Sequence, residues 1–89
     1  MYFALNCRDK KDALQTRLDN RDKHLAYARE SGVVFVGGPL IENGNMVGSL
    51  VIIEVADLAA AQDFAANDPY AQAGLFDSVT ISEWKKVIS

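Results

Sequence analysis

Apolar and polar positions change rhythm several times along the chain, and each change predicts an element. Residues 2–7, YFALNC, form a short apolar run with two aromatics near its start and a charged cluster after it, which predicts a first strand. Asp12 followed three residues later by Gln15 has the form of a capping box, predicting a helix with Leu14 and Leu18 on one face. Asp19 and Asn20 are poor helix-interior residues and good N-caps, so they predict a break and a second helical segment over 21–31, closed by Gly32. Residues 32–41, GVVFVGGPLI, and 46–55, MVGSLVIIEV, are apolar on both parities and predict two strands. Between them Asn43-Gly44 is the dipeptide of a tight hairpin. Residues 56–66, ADLAAAQDFAA, carry Leu58, Ala61, Phe64 and Ala65 at helical spacing. Asn67, Asp68 and Pro69 end that helix, PYAQAG makes a short turn, and 75–87, LFDSVTISEWKKV, predicts the last strand.

The order βαββαβ is the ferredoxin-like α+β plan, an antiparallel sheet with helices on one face. Two helical layers cover only one side, yet the central hairpin is apolar on both. The uncovered side therefore calls for a partner, and the simplest is a second copy of the chain packed sheet on sheet, a homodimer.

Length, composition and charge narrow the classes. The chain has 89 residues, 49% of them hydrophobic, which fits one folded domain spanning 1–89. Nine basic and twelve acidic residues alternate and leave a formal charge of -3. They form no basic stripe for nucleic acid and no Lys/Arg-rich amphipathic helix for a membrane surface. The first residues lack the pattern of a secretory signal, and no apolar run approaches the roughly 18 residues of a membrane span, so the expected location is the cytoplasm. Cys7 is the single cysteine and reads as a packing residue at the end of a strand.

Candidate chemistry begins at RDKHLAY, residues 21–27, which holds the single histidine. On a helix Arg21, His24, Leu25 and Ala28 share a face, so a polar pair interrupts what would be the inward stripe. A histidine titrating near neutral pH suits general acid or base work when a carboxylate fixes its tautomer. Asp68 is the candidate partner; placed before Pro69 it also suits the N-cap of a helix, and a carboxylate has acceptor positions for both roles. Gly37-Gly38-Pro39 lets backbone bend or approach a ligand closely, Ser49 is a strand-interior hydroxyl that needs a partner, and Arg21 suits an anion. One His and one Cys, far apart, do not make a zinc site. Cys7 as a nucleophile for His24 conflicts with its core-like neighbours, and the third strand lacks the aromatics of an RNA-stacking surface.

RxxHLAY at 21–27, GGP at 37–39, GSLVIIE at 48–54, DPYAQAGLF at 68–76 and WKKV at 84–87 together resemble the YciI-like (YCII-related) proteins over essentially the whole chain. The resemblance implies a dimeric ferredoxin-like α/β barrel and a catalytic dyad of His24 and Asp68. It also implies a surrounding pocket with Arg21, Gly38, Pro39 and Ser49 as substrate-binding positions. The function expected is a cofactor-independent lyase or isomerase, dehydrochlorinase-like or muconolactone-isomerase-like, moving a proton on a small cyclic or aromatic, anionic metabolite. The alternative is a module that binds a small ligand or a protein without chemistry.

Overall fold

The computed structural model describes residues 1–89. Its elements are β1 (Tyr2–Asp9), α1 (Leu14–Ser31), β2 (Val34–Glu42), β3 (Asn45–Glu54), α2 (Leu58–Ala66), α3 (Pro69–Gln72) and β4 (Phe76–Trp84). The four strands form one antiparallel sheet in the order β2-β3-β1-β4, the ferredoxin-like arrangement.

Strand alternation sorts the sheet into two faces. Phe3, Leu5 and Cys7 of β1 pair with Ile53, Val51 and Ser49 of β3 and point toward the helices. With Ala61 of α2, and with Val34, Val55, Phe64 and Ile81 packed around them, the apolar members of this set make the core. On the other face Tyr2, Phe35 and Trp84 cluster, with ring centroids 5.2 Å apart for Tyr2 and Phe35 and 5.9 Å for Tyr2 and Trp84. Phe35 reaches that cluster because the β2 register shifts between Val34 and Val36. Val36 and Leu50 lie exposed on the same side.

Helix α1 departs from expectation at both its start and its middle. Asp12 takes a left-handed backbone with φ 58°, Ala13 holds the N-cap position without a side-chain bond, and no capping box forms. The expected break at Asp19 and Asn20 is absent, because both side chains find partners within an unbroken helix. Gln15 Nε2 donates to Asp19 Oδ1 at 2.7 Å, and Asn20 Nδ2 donates to the Thr16 carbonyl at 2.9 Å. Leu14 and Leu18 face solvent while Arg17 is buried, so the helix presents its polar stripe to the sheet.

Other boundaries follow from local bonds. Gly32, at φ 70°, caps α1 as expected, and Val33 N donates to Ser31 Oγ, which delays β2 to Val34. Asn43 and Gly44 have φ 52° and 80°, the pair of positive values a type I′ hairpin requires. Asp57 caps α2 by accepting from Ala60 N at 2.8 Å, so that helix starts at Leu58 rather than at residue 56. Strand β4 ends at Trp84, short of Val87, because its partner Tyr2 is already the first residue of β1.

Candidate functional site

The inward stripe of α1 carries Arg17, Arg21, His24, Leu25, Ala28 and Arg29 to one wall of a pocket of about 190 Å³. The facing wall comes from β2 and β3 and includes Gly38, Pro39, Met46 and Ser49. Tyr70 of α3 joins them from the second half of the chain.

His24 Nδ1 lies 2.9 Å from Asp68 Oδ1 and 3.0 Å from Oδ2. Asp68 Oδ1 also accepts from Tyr70 N at 2.9 Å, so the carboxylate caps α3 and holds the imidazole at once. Asp68 is buried behind the ring. When Nδ1 donates to it, Nε2 is the nitrogen left for a ligand. The Tyr70 ring stacks on the imidazole with centroids 4.0 Å apart and planes at 14°, which fixes the ring's orientation as the carboxylate fixes its tautomer.

Beneath this stack lies an ion pair that spacing alone did not signal. Arg17 is 2% exposed; its Nε and Nη2 donate to Asp9 Oδ2 and Oδ1 at 2.7 and 2.8 Å. Nη2 also donates to Ser49 Oγ at 3.0 Å, and the guanidinium carbon sits 4.6 Å from the Tyr70 ring centroid. Burial opposes the Arg17 charge, but the hydrogen-bonded Asp9 carboxylate more than offsets it and holds the group above its ordinary pKa. Burial also raises the Tyr70 and Tyr27 phenols, against the lowering effect of Arg17 on Tyr70. Cys7, packed in the core, has its thiol pushed up to about 12, chiefly by burial, so it stays a neutral packing residue at ordinary pH.

The structure brings all six expected residues to this region, in different ways. His24 and Asp68 meet directly; Arg21, Gly38, Pro39 and Ser49 line the pocket. Ser49 is already engaged by Arg17, so it reads as part of the floor. A Cβ on Gly38 would meet nothing within 4 Å, whereas one on Gly48 would strike the Cys7 carbonyl oxygen; the close backbone approach is at Gly48. Arg17, Asp9, Tyr70 and Arg29 went unread in the sequence. Extending the stripe of Arg21 and His24 back by one turn lands on Arg17 and would have found it.

Comparison with known proteins covers nearly the whole chain. The sequence is 34% identical to Protein YciI of Escherichia coli, over 98% of this chain and 99% of that protein. It is 35% identical to an uncharacterised protein of Haemophilus influenzae, with the same coverage of each chain. Among solved structures it is similar to the 5-chloro-2-hydroxyhydroquinone dehydrochlorinase TftG of Burkholderia phenoliruptrix, solved with 2,5-dihydroxybenzoquinone. That likeness has a TM-score of 0.87 and 34% identity, over 96% of this chain and 94% of TftG. An antibiotic biosynthesis monooxygenase, at 13% identity and a TM-score of 0.61 over 98% of each chain, shares the fold. The YCII-related domain family matches residues 1–85, and with these relatives at more than 30% identity the chain belongs to that family.

Proposed function

We propose that the chain is a small enzyme of lyase or isomerase type that moves a proton on a small cyclic or aromatic, anionic metabolite. The observation that carries this reading is the His24–Asp68 contact at 2.9 Å, set in the wall of a pocket whose lining includes three arginines and no carboxylate. TftG, similar over nearly its full length, acts on a chlorinated ring compound and supports the substrate class.

In this reading His24 Nε2 takes a proton from the ring compound while Asp68 stabilises the imidazolium that forms. In an elimination, the electron pair of the broken C–H bond becomes the new double bond. The leaving group departs with its own bonding pair, and the proton stays on His24. In an isomerisation His24 returns the proton to a different carbon. Arg21 holds the anionic group of the substrate.

The functional unit in this proposal is a homodimer, its second copy covering Val36, Leu50 and the Tyr2, Phe35 and Trp84 cluster on the outer face of the sheet. The test is chloride release from 5-chloro-2-hydroxyhydroquinone by the wild type and by His24→Ala. Loss of about 10² to 10⁴ in rate is expected from removing a general acid–base. Wild-type turnover by His24→Ala would overturn the mechanism, and recovery of the compound unchanged from the wild type would count against it as a substrate.

A further inference from the structure

The ion pairs of the chain are Arg8 with Glu42, Arg17 with Asp9, and His24 with Asp68. In the first two a guanidinium faces a carboxylate and in the third an imidazole does, and Arg21 and Arg29 belong to none of them. Both nevertheless line the pocket, on the helical wall that also carries the paired Arg17. Eight residues separate them, about 12 Å along the axis at 1.5 Å per residue, and His24 lies between. The other wall is largely apolar, with Val34, Pro39, Met46 and Val51 facing the arginines. In a chain of net charge -3, two unpaired guanidiniums flanking one cavity concentrate positive potential where the ligand enters.

We infer that the pocket takes a ring-sized dianion, with one anionic group at Arg21, the other at Arg29, and the ring between them against Val34 and Met46. The middle of such a ligand faces His24. This inference rests on the proposed role of the pocket as a ligand site and adds the number and placement of the ligand's charges. A monoanion satisfies one arginine and leaves the other unpaired. A dianion with both groups on one edge reaches only one end.

The probes are terephthalate, whose two carboxylates lie at opposite ends of one ring, and benzoate, which keeps one. Binding is measured by calorimetry on the wild type, Arg21→Gln and Arg29→Gln, and ring placement by the NMR signals of the single imidazole. Both arginines are exposed, so the variants keep the fold, which circular dichroism verifies. Terephthalate is expected to bind the wild type at least about tenfold more tightly than benzoate and to shift the imidazole signals. Either substitution should reduce that preference to within about twofold. Equal affinities in the wild type, or a preference that survives both substitutions, would overturn the two-ended arrangement while shifted imidazole signals kept the pocket reading. If neither compound moved those signals, the pocket reading would fall and the inference with it.

Discussion

Arg17 carries a full charge at 2% exposure, and its cost is met by the two hydrogen bonds it donates to one carboxylate and the one it donates to a serine. Removing half of such a pair leaves a buried charge without compensation, so Asp9→Ala should lower the unfolding free energy by about 3–5 kcal/mol in urea denaturation. Replacing both partners with apolar residues of similar volume should cost much less. The His24–Asp68 contact makes a separate prediction: a ¹H–¹⁵N spectrum of the lone histidine should show the proton on Nδ1 in the wild type. In Asp68→Asn the amide can present its donor to that nitrogen, and the proton should move toward Nε2. Cys7 offers a pH test. The unfolded thiol ionises near 9.0 and the folded one near about 12, so the native state retains its proton after the unfolded state has lost it. Stability from this group is complete below the lower value and declines as pH rises across that window. Thermal scans at increasing alkaline pH should show that decline, and Cys7→Ala should show a smaller one, to which the raised Tyr27 and Tyr70 phenols still contribute.

Helix α1 shows how far hydrophobic pattern carries. The hairpin, α2 and all four strands were legible because turn residues and apolar runs agree with the tertiary contacts that follow, whereas the stretch read as a turn after Asp68 forms the short helix α3. α1 was misread at Asp19 and Asn20, whose propensities favour a break. Gln15 and Thr16 lie one turn earlier and satisfy them inside the helix. Its inward face was obscured for a second reason. Leu14 and Leu18 invite burial, but the position that goes inside is Arg17, chosen by an acid on β1 that no local spacing connects to it. His24 and Asp68 were legible as candidates in their local stretches, and the resemblance to the YciI-like family made them a pair. Arg17, Asp9 and Tyr70 were not, because their roles exist only between elements. Strand β3 supplies a contrast that tests the close packing directly. Gly48→Ala would drive a methyl into the Cys7 carbonyl of β1, whereas Gly38→Ala meets open space. Urea midpoints should fall markedly for the first and stay close to wild type for the second.

The two faces of the sheet divide the protein's tasks. One closes over the core and the pocket; the other exposes Phe35, Val36 and Leu50 beside Tyr2 and Trp84. If a second copy covers that outer face, Leu50→Asp places a charge at the centre of the contact. Sedimentation should then show a monomer where the wild type sediments as a dimer. The His24–Asp68 contact, meanwhile, joins α1 to α3 across 44 positions of sequence, and Tyr27 of α1 donates to the Phe64 carbonyl of α2 at 2.8 Å alongside it. Neither half of the chain holds the cavity alone, so a ligand lodged there has affinity for the native state and none for the unfolded chain. Its concentration therefore sets the melting temperature. A collection of ring compounds can be sorted by the rise each produces, before any reaction is known.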